Sequence, residues 1–175
     1  MLILSFSMIK WIVPNASSKV TKHADDPENA VLLDVHPFWF TEAEAMDALH
    51  AMGEQGRQQY IRFHKREDLI FPIVYGLFLS FSLFLLNRKR LQKSILIYLI
   101  PAVPLLAMMA DLVENHHIVL LTRQFPDLNF VTVKIAAIAN AIKWGSLIVS
   151  LAIIALLVVR IVASIILRSG SKKAR

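Results

Sequence analysis

Asp111, Glu114 and Asn115 stand inside one of the most apolar stretches of the chain, between Ile95 and Leu121. Spaced i, i+3 and i+4, they share one face of a helix. Carboxylates placed there cannot face hydrocarbon; they turn toward a bundle interior or a wet cavity and take a partner. Such a cluster can do three things: pair charges, move a proton or ion, or hold a polar ligand. Lys143 is the candidate cation. Counted from Ser94, Asp111 is about 25 Å along its helix, a few Å beneath the far surface of a core roughly 30 Å thick. Lys143, about six residues into the following span, reaches a similar level. Antiparallel helices can therefore set Lys143 against Asp111 or Glu114, with Asn115 beside them. The plainest role is an ion pair that locks the bundle, because no polar group lies mid-membrane on the opposite side to complete a translocation path.

Other chemistry finds less support. Glu114 with His117 and Asp47 with His50 have the carboxylate-x-x-histidine spacing of di-iron bundles. Such sites need further carboxylates from two other helices, and Glu67 and Asp68 fall at a membrane entrance. With thirteen acids and six histidines in the chain, two short matches are expected by chance, so no metal or cofactor is assigned. Cysteine is absent, which excludes disulfides and thiolate sites. There is no Gly-rich phosphate loop, nucleophile elbow or zinc-protease signature, and the chain reads as non-catalytic. Met108 and Met109 read as span packing.

The elements that must carry the cluster are membrane helices. Of 175 residues, 56% are hydrophobic, with mean hydropathy +0.55. That is above the roughly 45–50% apolar usage of soluble proteins. The formal charge of +6 is concentrated in Arg88, Lys89, Arg90 and Lys93 and in the tail 168–175. Both blocks flank apolar runs, a topology signal; no basic stripe interleaves with stacking aromatics, so nucleic acid is not a partner. The expected fold is all-α: a polytopic membrane helical bundle with spans over 69–86, 95–121 and 130–167, and a small helical cap, 41–68, on one face. Thr41 to Glu44 has the form of a capping box, and Gly53 and Gly56 are expected to end that first cap helix. The run 130–167 lacks a turn and reads as one long helix. Ala136, Ala137, Ala139 and Ala141 offer a close-packing face.

Residues 1–13 are apolar but short, and read as an interfacial or partial span anchored by Trp11, with a full extra span as the alternative. Residues 14–40 read as a polar linker, with an Asn15 sequon and an aromatic anchor at Phe38, Trp39 and Phe40. Trp39 and Trp144 suit the headgroup layer, and His64, Lys65 and Arg66 suit anionic headgroups.

The residues Tyr60-Ile61-Arg62-Phe63 and Asp68-Leu69-Ile70-Phe71-Pro72-Ile73-Val74-Tyr75-Gly76-Leu77-Phe78 resemble a group of uncharacterised small multi-pass membrane proteins of about four spans. In that group the stretch precedes an Asp-Leu-x-Glu-Asn element, matched by Asp111 to Asn115, and then a Lys-Trp pair, matched by Lys143 and Trp144. The likeness covers 41–159 and implies the multi-span architecture and the Lys143 pairing rather than an activity. Members carry a full first span, where residues 1–13 are short. The resulting expectation is a multi-pass accessory or scaffold subunit, surrounded by membrane lipids and other membrane subunits. A mitochondrial-type inner membrane is compatible with this but is not selected by composition. The competing expectation is a small transporter or ligand-binding protein using the Asp111, Glu114 and Lys143 cluster.

Overall fold

The computed structural model describes residues 18–36, 38–88 and 94–173, with side chains described to residue 164. The expectations for residues 1–13, Trp11 and Asn15, for Lys89, Arg90 and Lys93, and for the side chains of the basic tail lie outside the described residues.

The described residues are all-helical in class. A 3-10 turn, Leu33–Val35, leads to α1 (Glu42–Ala51), α2 (Gly53–Asn87), α3 (Leu96–Gln124) and α4 (Phe130–Lys173). Three helical stretches, Gly53–Asn87, Leu96–Gln124 and Phe130–Ser164, are long and apolar enough to cross a membrane. The protein is accordingly a membrane protein by length and composition of these helices.

Thr41 starts α1 with a complete capping box. Its hydroxyl accepts from the Glu44 N–H, and its own N–H donates to the Glu44 carboxylate at 2.7 Å. This satisfies donors that a helix start otherwise leaves open. The helix ends at Gly53, whose φ of +60° is a conformation that side chains with a Cβ rarely adopt. A Cβ there would also collide with the Asp25 carboxylate. Gly56, expected to be a second break, instead lies inside α2, where the backbone of Val20 and Ala24 packs against it.

From this corner α2 runs as one helix, through Pro72, out of the cap and into the span, so cap and bundle share one element. At 1.5 Å per residue its 35 residues measure about 52 Å. The chain returns as α3, which packs against both α2 and α4 and is the central helix. At Gly76 α2 comes close against α3, since a Cβ at that position would overlap Met108 Cβ. On α4, Ala136, Ala137 and Ala139 are buried at helical spacing and let α3 come close, while Ala141 is half-buried. The helix continues through Gly145 with no turn.

The apolar core is concentrated at the cap end. Leu33, Phe40, Leu49, Met52 and Tyr60 from the cap and the head of α2 meet Ile118 and Leu121 of α3 and Val133 and Ala136 of α4. The described part of 14–40 is therefore more than a linker: residues 18–22 are helical, and Val20, Ala30, Leu32 and Leu33 are core. Phe40 departs from the expected aromatic anchor in the same way, being 1% exposed beneath α1, while Phe38 and Trp39 stay on the surface. Toward the other end of the bundle the outward faces are apolar and open, including Leu77, Phe81, Leu99, Leu106, Val149 and Leu156.

Candidate functional site

Where the cap meets the bundle, polar side chains from four elements converge. On α2, Tyr60, His64 and Asp68 follow one another at i, i+4 and i+8, one stripe of the helix, and Tyr75 lies two turns further. Asp111, Glu114 and Asn115 face them from α3, and Asn140 and Lys143, a turn apart, from α4. Asp34 of the 3-10 turn closes the group from above. All except Asp34 are buried; the Asp34 side chain keeps 11% exposure.

Lys143 sits at the centre. Its Nζ is 2.5 Å from Glu114 Oε2 and 3.9 Å from Asp111 Oδ1, so the structure brings together the cation and both acids singled out in the sequence. The same ammonium donates to the main-chain oxygen of Asp34 at 2.8 Å. One turn away, Asn140 Nδ2 donates to the oxygen of His36 at 2.9 Å. A buried carbonyl without a partner is costly, and α4 supplies donors to two carbonyls of this short turn. Asn115 joins α3 to α2 by donating to the Asp68 carbonyl at 2.9 Å.

The remaining members do not follow from the spans alone. Tyr75 Oη donates to Asp111 Oδ2 at 2.9 Å. Tyr60 Oη accepts from the Leu33 N–H at 2.9 Å and donates to Asp34 Oδ1 at 2.7 Å, tying the first two residues of the turn to α2. His64 Nδ1 is 2.9 Å from Asp68 Oδ2, and its Nε2 lies 3.7 Å from Asp34 Oδ1. His64 is thus no headgroup ligand; its side chain is fully buried, and only Lys65 and Arg66 beside it face outward. Asp68, expected at a membrane entrance, is likewise inside. The i, i+4, i+8 spacing of Tyr60, His64 and Asp68 was the available signal for a polar stripe. Nothing in the pattern around Asp34 pointed to its place.

The di-iron spacing does not assemble. His117 Nδ1 is bonded to its own Val113 carbonyl, and His116 is exposed. Asp47 and His50 line a separate cleft of about 520 Å³ in the cap, with Asp26, Asn29, His36 and Glu44. In that cleft the backbone and hydroxyl of Thr41 hold the Glu44 carboxyl below its ordinary 4.5. The amide of Asn29 does the same for Asp26. Among the described residues, the group of histidine and carboxylate atoms gathered within 4.8 Å of one another is Asp34, His64 and Asp68.

Of the expected surface anchors, Trp39 is exposed, Trp144 is half-buried with the Lys143 ammonium 5.6 Å over its ring, and Arg88 is exposed at the far end of α2. No protein-family profile, curated protein or solved structure matches the chain.

Proposed function

We propose that the chain is a non-catalytic accessory or scaffold subunit of a larger membrane assembly. The observation that carries this reading is the use made of Lys143: its ammonium joins Glu114, Asp111 and the Asp34 carbonyl, binding α3, α4 and the cap into one unit. Charges arranged in this way hold shape. The outward faces support the same reading, since only 11% of the most apolar window of α4 is buried inside the chain. A helix so little covered by its own bundle has apolar area for lipid and for neighbouring helices. An energy-transducing membrane of the mitochondrial type is one setting for such a subunit. Isolation of the full chain under mild detergent, with mass determination of what accompanies it, tests the proposal: a stoichiometric set of membrane subunits is expected, and a monodisperse lone chain overturns it.

A second reading has one specific observation in its favour. Glu114 Oε1, Asn115 Oδ1 and Asn140 Oδ1 are buried without a hydrogen-bond partner, an acceptor-rich lining that suits a polar ligand or ion. On that reading Lys143→Met abolishes flux or binding in a chain that still folds. On the scaffold reading the same change costs assembly or stability.

A further inference from the structure

Around the turn stand the buried carboxylates of Asp68, Asp111 and Glu114 and the largely covered one of Asp34, and among the described residues the buried ammonium set against them is that of Lys143. A low-dielectric interior does not hold that imbalance unless cations or protons accompany it. The ammonium lies against Glu114, the Asp34 carbonyl and, farther off, Asp111, which also takes the Tyr75 hydroxyl; among the described residues the Asp34 and Asp68 carboxylates, on either side of His64, have no lysine or arginine ion pair.

The imidazole is set in a particular way. Its Nδ1 faces Asp68 Oδ2 at hydrogen-bond distance, which fixes the ring and leaves Nε2 as the free position. Nε2 is fully buried, has no hydrogen-bond partner, and is aimed at Asp34 Oδ1 across 3.7 Å. That gap is too long for a hydrogen bond. It fits two ligands on one divalent ion, which at bond lengths of about 2.0–2.2 Å and tetrahedral to trigonal angles stand about 3.3–3.8 Å apart. Tyr60 Oη, bonded to the same Asp34 oxygen, steadies the carboxylate.

We propose that Asp34 and His64 Nε2 bind a first-row divalent metal ion between the cap and α2, with Asp68 orienting the ring. Imidazole nitrogen and carboxylate oxygen suit zinc, manganese or ferrous iron. The Glu-x-x-His and Asp-x-x-His motifs take no part, and the site does not depend on the scaffold reading. The ion would fasten the 3-10 turn to α2 at a point Lys143 does not reach.

The test uses the purified full chain in detergent, loaded with Zn²⁺ and desalted, with bound metal counted per chain. About one equivalent is expected on the wild type, with loss of bound metal in His64→Gln and Asp34→Asn. Asp68→Asn, which changes only the partner of Nδ1, should weaken binding by about 10–100-fold. Asp47→Asn with His50→Gln, in the separate cleft, should leave it unchanged. A wild-type chain that keeps no zinc, or a His64→Gln chain that keeps a full equivalent, overturns the proposal. Should the variants fail to fold, zinc-edge X-ray absorption of the wild type decides: imidazole scattering around the ion supports the site, and its absence overturns it.

Discussion

Tyr75 Oη and Asp111 Oδ2 are 2.9 Å apart, and the bond crosses from α2 to α3 on the carboxylate whose other oxygen the Lys143 ammonium approaches. The phenol keeps Asp111 supplied with a donor where Lys143, at 3.9 Å, stands too far to do so. Tyr75→Phe removes that donor and leaves the ring. A hydrogen bond to a charged acceptor contributes about 1.5–3 kcal/mol, so thermal unfolding in detergent should move to lower temperature by a matching amount. An unchanged midpoint would show that Asp111 finds another donor.

Lys143→Met leaves Glu114 in the bundle without its counter-charge. Breaking a buried pair from one side costs about 3–5 kcal/mol, so the folded fraction recovered from membranes should fall steeply. The double variant Lys143→Met, Glu114→Gln removes both charges and should recover part of the loss. Equal damage in single and double variants would assign the effect to the Asp34 carbonyl contact instead, and chemical denaturation of the three proteins separates the two.

Gly76 and Gly145 make a contrasting pair. Gly76→Ala pushes a methyl group into Met108 Cβ and should cost about 1–3 kcal/mol of stability. Met108→Ala should not rescue it, because alanine keeps the Cβ that is struck. Gly145 has nothing within 4 Å of where a Cβ would go, so Gly145→Ala should be neutral or add up to about 1 kcal/mol from helix propensity. Thermal melts of the three variants provide the comparison.

The Glu44 carboxyl is lowered first by the Thr41 backbone N–H and then by its hydroxyl. A group depressed in the folded state contributes stability that is complete above its unfolded value and is lost as pH falls through the folded one. Below pH 4.5 the capping box of α1 should therefore weaken progressively. Glu44→Gln, which cannot ionise, should flatten that part of the stability profile. Parallel profiles for wild type and variant between neutral pH and pH 3 would contradict this role.

The membrane helices were legible because hydrocarbon imposes long apolar runs, and depth along a helix follows from a fixed rise per residue. That arithmetic puts Lys143 at the level of Asp111 and Glu114 and leaves open which acid it meets; the structure puts Glu114 nearer. The cap was harder to read. Val20, Leu32, Leu33 and Phe40 come from a stretch with no helical period, and their burial depends on the ends of α3 and α4 arriving from 78 or more residues away. Gly56 misled because a glycine can mark close packing as well as a helix end, and spacing alone does not separate the two. His64 misled because Lys65 and Arg66 beside it are exposed, while the ring itself points along the Tyr60 and Asp68 stripe.

Both donors that α4 extends to the turn, Lys143 and Asn140, reach carbonyl oxygens of Asp34 and His36 and not their side chains. Peptide oxygens are common to every residue type, so this grip is blind to what the turn displays. Substitutions at 34 or 36 can therefore change the side-chain chemistry the turn displays while its seat on α4 persists, and a single architecture can diversify there without first having to loosen.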